Sequence, residues 1–139
     1  MKITLTNLQK KVEVSGRKIK NLIRKVLAGE KVKKTGRINI CFVDDPRIRE
    51  LNSRFLNHKN STDVLAFNLT DQKEKDIILA DIMISAQTAL KQARIFETTP
   101  EYELSLYLVH GILHILGYND RTALEKKQMR KKESQYVNW

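Results

Sequence analysis

The run from His110 to Asp120, HGILHILGYND, constrains this chain more than any other stretch. Apolar residues surround its histidines, Thr99-Pro100-Glu101 is a start signal and Gly117 a stop, so a helix is predicted up to about Leu116. On that helix His110 and His114 lie one turn apart on the same face, and both imidazoles can reach one ion. Gly117 can adopt the left-handed conformation that ends a helix and turns the chain. Asp120 is then free to approach the same ion from the side. Two nitrogens and one carboxylate oxygen leave a fourth position open for water, which is how catalytic rather than structural zinc sites are built. The pattern implies a metal-activated water, and so hydrolysis. The plain alternative is a pair of core histidines followed by ordinary turn residues. Thr122-Ala123-Leu124-Glu125 weighs against it, because this capping-box pattern relieves Asp120 of capping the next helix.

Charge suggests what such a site acts on. The formal net charge is +10. Residues 1–37 hold twelve Lys or Arg against two acids, and residues 121–139 hold six against two. The middle, 38–120, is acidic, with eight against twelve. Basic ends on folded elements favour a polyanion through phosphate contact and counterion release, so a nucleic acid is the expected partner, the plain alternative being a solvated, soluble surface. Lys and Arg on the first and last helices, among them Lys126, Lys127 and Arg130, are the candidate contacts to its phosphates. The single cysteine, Cys41, lies in the apolar run Ile38 to Val43 and excludes an internal disulfide. A buried, inert thiol, no long apolar span and a polar, basic Met1–Lys11 predict a cytoplasmic protein without membrane contact.

The remaining pattern predicts an α+β fold, a four-stranded mixed sheet packed with about five helices, in one domain over residues 1–139. Lys2–Thr6 alternates as a strand. Ile19, Leu22, Ile23, Val26 and Leu27 form a helical stripe, with Ser15 as cap and Gly29 as stop. Arg37–Val43 is a second strand, and Asp45-Pro46 reads as a cap and first-turn proline for a helix presenting Ile48, Leu51 and Phe55. Asp63–Leu69 and Ile77–Ile84 are strands joined by a hairpin-type loop, the latter apolar enough to be buried on both faces. Ser85 caps a helix carrying Ala89, Leu90 and Ala93, and Phe96 is placed for a staple-like approach to the helix after Thr99.

The histidine spacing equals that of the metzincin zinc proteases, but those carry a general-base Glu after the first His, where this chain has Gly111. His110, Gly111, Leu113, His114, Gly117 and Tyr118 instead resemble the YbeY endoribonuclease signature H-G-x-L-H-x-x-G-Y-D-H. Ser61–Phe67 (STDVLAF) resembles that family's PTDVLSF, and Leu79–Ser85 (LADIMIS) its L-G-D-I-x-I-S. The resemblance covers nearly the whole chain. It implies a zinc-dependent, single-strand-specific endoribonuclease in ribosomal RNA maturation and ribosome quality control, in contact with the small ribosomal subunit.

By residue, the resemblance carries the metal role onto His110 and His114. The third family ligand is His, and that position is Asp120 here. A carboxylate is a normal zinc ligand, though its charge makes the ion less Lewis-acidic and admits other divalent metals. In the family's L-N-x-x-Y-R stretch the Arg, a natural phosphate contact, is Leu56 here. Arg54 lies two residues before it and on a helix points elsewhere, a candidate RNA contact only, while His58 and Lys59 in the following loop are the candidates to take its place. Asp63, Asp81 and Ser85 are candidates to shape the cleft, the two aspartates with a catalytic role or a plain hydrogen-bonding one, and Ser85 rather as a helix cap. Tyr118 either stacks a base or packs. Two other readings are a non-catalytic, metal-stabilised RNA- or ribosome-binding protein and, disfavoured by Gly111, a metalloprotease.

Overall fold

The computed structural model describes residues 1–48, 50, 63–71 and 73–137. Its sheet has strands β1 (Lys2–Asn7), β2 (Thr35–Val43), β3 (Val64–Asn68) and β4 (Ile77–Ser85), in the spatial order β1-β2-β4-β3. The first, second and fourth run parallel, and β3 lies antiparallel on the edge. Four helices are described in full: α1 (Gly16–Gly29), α2 (Ala86–Phe96), α3 (Pro100–Ile115) and α4 (Ala123–Tyr136). A further one opens at residues 45–48. The mixed sheet and its helices are the α+β architecture expected from the sequence. Leu51 and Phe55 lie outside the described residues. Among the described residues no helix is long and apolar enough to cross a membrane.

Alternation along the strands divides the sheet into two faces. Ile38, Ile40 and Phe42 of β2 and Ile78, Ala80, Ile82 and Ile84 of β4 join the main core with Ile19, Ile23 and Val26 of α1 and Leu104, Leu108 and Ile112 of α3. Full burial of each such Ile, Leu, Val or Phe contributes about 1.5–3 kcal/mol. The opposite face carries a smaller cluster of Val43, Leu65 and Ile48, flanked by Cys41, Phe67 and Met83. The strand β4 is therefore not buried on both faces: Leu79 is 39% exposed while its neighbours Ile78 and Ala80 are buried. Its run, apolar at nearly every position, hides an ordinary alternation. Cys41, on that second face, is half-buried rather than buried, and burial pushes its thiol pKa up.

Several caps fall where the sequence places them. Ser15, Ser85 and Thr99 each accept from a backbone N–H in the first turn of α1, α2 and α3. Asp45 does not cap. The cap is Asp44, whose carboxylate accepts from the Arg47 N–H at 3.2 Å. Asp45 is buried and accepts from the hydroxyls of Ser85 and Thr88 and from Lys91. It thereby ties residues 45–48 to the start of α2. Gly29 is the last residue of α1, and the left-handed residue beyond it is Lys31 (φ 57°). A Cβ on Gly29 would lie 2.5 Å from the Tyr136 phenol oxygen, so this glycine makes room for α4. Phe96 forms no staple, since its side chain is largely exposed.

Candidate metal centre

Helix α3 delivers the histidines. Thr99 caps it, Pro100 occupies its first turn, and Glu101 and Glu103 sit at the positive end of its dipole. Its far end closes in a Schellman arrangement, with Gly117 N–H donating to His114 O and Tyr118 N–H to Leu113 O, both at 3.0 Å. Gly117 has φ 104°, the left-handed conformation expected of it. Leu104, Leu108, Ile112 and Leu113 fix the helix against the core, which leaves His110 and His114 on its half-buried stripe. The turn after Gly117 brings Asp120 back to them. Thr122 and Glu125 complete the predicted capping box of α4, so the Asp120 carboxylate is left to face the histidines.

Three donor atoms converge. His110 Nε2 and His114 Nε2 are 3.0 Å apart, and Asp120 Oδ2 lies 3.4 Å from the first and 3.5 Å from the second. Bonds of about 2.0–2.1 Å to a tetrahedral ion require donor separations of roughly 3.3–3.4 Å. The triangle has the size of one face of that tetrahedron, so the residues present fit such an ion. The rings meet edge to face, with centroids 4.5 Å apart. Glu133, on α4, accepts from His110 Nδ1–H at 2.7 Å. That bond holds the His110 proton on Nδ1 and turns the Nε2 lone pair toward the shared centre. Burial opposes protonation of His110, but the Glu133 hydrogen bond and the charges of Glu133, Asp63 and Asp120 outweigh it, and its pKa is raised. The same negative potential favours a bound cation.

The triad opens into a cleft of about 390 Å³, lined also by Asp63, Val64, Ala66 and Gly111. Gly111 is where α3 presses on the sheet: a Cβ there would lie 3.1 Å from Ile82 Cγ2 and 3.2 Å from Val64 Cγ2. The position that carries Glu in the metzincins thus faces packed side chains here.

The structure brings Asp63 into this cleft and keeps Asp81 out. Asp81 alternates with Ile82, so it points to the opposite face of the sheet from Gly111. There it accepts from Asn39 Nδ2 at 2.8 Å, in a row continued by Thr4, which donates to Asn39. Ser85 is a helix cap and a donor to Asp45. Tyr118 packs at the edge of the main core, donates to Glu30 and lies under Lys132 at 5.8 Å. Lys126, Lys127 and Arg130 are exposed along α4. Arg54, Leu56, His58, Lys59, Ser61 and Thr62 lie outside the described residues.

Two acids escaped the sequence reading. Glu133 sits in the buried stripe Met129, Glu133, Tyr136 of an otherwise charged helix, and a carboxylate at helical spacing within an apolar stripe is the signal that marks it. Glu30 accepts from Tyr118, Tyr136 and Lys132, joining the end of α1 to the turn after α3 and to α4. Nothing local to the sequence around Glu30 announces these partners.

A family model described as endoribonuclease YbeY matches residues 4–139. The chain belongs to the YbeY family. The YbeY endoribonuclease of Syntrophus aciditrophicus is 35% identical over 97% of this chain and 87% of its own length. That of Petrotoga mobilis is 36% identical over 99% and 94%. The solution structure of TM1509 from Thermotoga maritima superposes with a TM-score of 0.61 at 28% identity, covering 99% of this chain and 87% of that one.

Proposed function

We propose that this YbeY-family chain is a zinc-dependent endoribonuclease cutting single-stranded RNA. It acts in the cytoplasm in ribosomal RNA maturation and quality control, against the small ribosomal subunit, with residues 1–139 as one catalytic domain. The observation that carries the reading is the tetrahedral spacing of His110, His114 and Asp120 at the mouth of a cleft. These three residues hold the metal, and Glu133 orients His110. The ion, when bound, supplies Lewis acidity that lowers the pKa of a water and polarises a phosphoryl oxygen. Asp63 lines the same cleft and is the candidate to accept a proton from the attacking water. Asp120 in place of a third His makes the site one charge more negative, which also suits a harder divalent ion. Exposed Lys and Arg of α1 and α4, such as Lys126, Lys127 and Arg130, hold flanking phosphates. Asp81 has no part in the reaction, and a protease reading lacks a carboxylate at residue 111.

The test compares the parent protein with His114→Ala, both metal-quantified, on a single-stranded RNA. The parent is expected to cut, to stop on chelation and to resume with zinc, while His114→Ala neither holds metal nor cuts. Parent protein that binds metal and RNA but never cuts would replace the enzyme with a metal-stabilised RNA-binding protein.

A further inference from the structure

Three cavities lie in a row along the seam between the edge strand β3 and helix α3, the metal cleft in the middle, and together form an interrupted trough. At its middle, Val64 and Ala66 face His110, Gly111 and His114. Beyond Asp63 the trough continues past Asp45, Glu103 and Tyr107. In the other direction lies a separate cavity of about 520 Å³, with Asn68 and Thr70 on one wall, Gly117 and Tyr118 on the other, and the loop bearing Lys31, Lys33 and Lys34 at its rim. From Glu103 to Gly117 this path follows about 20 Å of helix.

The two ends differ in charge. Asp45, Asp63 and Glu103 line the first, with Lys91 already paired to Asp45 at 3.2 Å. Burial, opposed by a hydrogen bond from Thr98, raises the Glu103 pKa, and the charge of Asp63 raises it further. At the second end the Glu30 carboxylate is engaged by Lys132 at 3.1 Å and by two tyrosines. The three loop lysines are exposed, and among the described residues none of them is in an ion pair. A polyanion crossing the metal centre therefore meets repulsion on one side and free ammonium groups on the other.

Resting on the endoribonuclease reading, we propose that Lys31, Lys33 and Lys34, with Asn68, form a phosphate subsite for one flank of the RNA substrate. The strand enters the trough in a single polarity. One side of the scissile bond lays its backbone along β3 toward the lysine loop. The other side turns its phosphates away from Asp45, Asp63 and Glu103.

Two double variants of exposed lysines test this. Lys33→Gln/Lys34→Gln removes the subsite, and Lys10→Gln/Lys11→Gln removes equal charge from the segment before α1, at the other end of that helix from the loop. Binding of a fluorescein-labelled single-stranded RNA 12-mer is followed by anisotropy on the full chain, with chelator present so that the probe survives. Loss of two phosphate contacts is expected to weaken binding about tenfold near 0.1 M salt and to lower the slope of log K against log salt by about 1.4. The Lys10/Lys11 pair is expected to change both far less, and identical behaviour of the two pairs overturns the subsite. A 4-thiouridine at one RNA terminus is expected to cross-link to residues 31–34 while the same label at the other terminus does not. Equal yields from both termini overturn the polarity. RNA bound through these lysines but never cut with zinc restored would defeat the nuclease reading alone. RNA cut by Lys33→Gln/Lys34→Gln with unchanged KM would defeat the subsite alone.

Discussion

At the scale of single residues, the candidate centre depends on Glu133 and Gly111, neither of which supplies one of its three donor atoms. Glu133 fixes the tautomer and orientation of His110 through one bond of 2.7 Å. Glu133→Gln keeps the shape and removes the charge. It is expected to weaken zinc binding about tenfold or more in competition with a chromophoric chelator. Melting of the metal-free protein is expected to change little, and a lower melting temperature with unchanged zinc affinity would make Glu133 merely structural. Gly111 acts through the absence of a side chain. An Ala there gains up to about 1 kcal/mol of helix propensity. It must also displace the γ-methyls of Ile82 and Val64 from 3.1 and 3.2 Å. Both neighbours are β-branched and stiff, and overpacking costs about 1–3 kcal/mol. Gly111→Ala is therefore expected to destabilise by about 1 kcal/mol in urea unfolding, and a stabilised variant would show that α3 can move off the sheet.

At the scale of elements, buried carboxylates join pieces distant in sequence. Glu30 links α1 to the turn after α3 and to α4, and Asp45 links residues 45–48 to α2. Burial alone would raise both pKa values. The donors around them outweigh it, Tyr118, Tyr136 and Lys132 for Glu30 and Ser85, Thr88 and Lys91 for Asp45, and both end below the ordinary carboxylate range. A folded-state pKa below the unfolded one stabilises fully above the unfolded value, near 4, and the benefit disappears as pH falls through the folded one. Stability from these groups is thus expected to be level above about pH 5 and to fall in acid. Glu30→Gln is expected to flatten part of that fall in urea unfolding followed against pH. An unaltered acid limb would mean that Glu30 does not hold α4 in place.

At the scale of the whole molecule, the candidate metal centre gathers its groups from separate segments. His110 and His114 come from α3, Asp120 from the turn beyond it, and Glu133 from α4. An ion that binds only this assembled set stabilises the native state by about 2.7 kcal/mol at one hundred times its Kd. For a chain of this length that is a rise of several degrees in Tm. Chelation is expected to reverse the rise, and His114→Ala to show none. A Tm indifferent to zinc would mean that the three donors do not act together.

The sequence by itself determined the α+β class, the helix carrying both histidines, its caps and the left-handed Gly117. These follow from contacts within a few residues, where period, cap chemistry and φ are local properties. It also brought Asp120 to the histidines, because one turn of chain leaves few other routes. The tertiary structure alone decided that Glu133 orients His110, that Asp63 faces the cleft while Asp81 lies on the other face of the sheet, and that Asp44 rather than Asp45 is the cap. These depend on which strand is an edge, which face of β4 meets α3, where α4 docks, and how the start of α2 meets residues 45–48. Those are outcomes of packing between segments far apart in the chain, and a residue's neighbours in sequence carry no record of them.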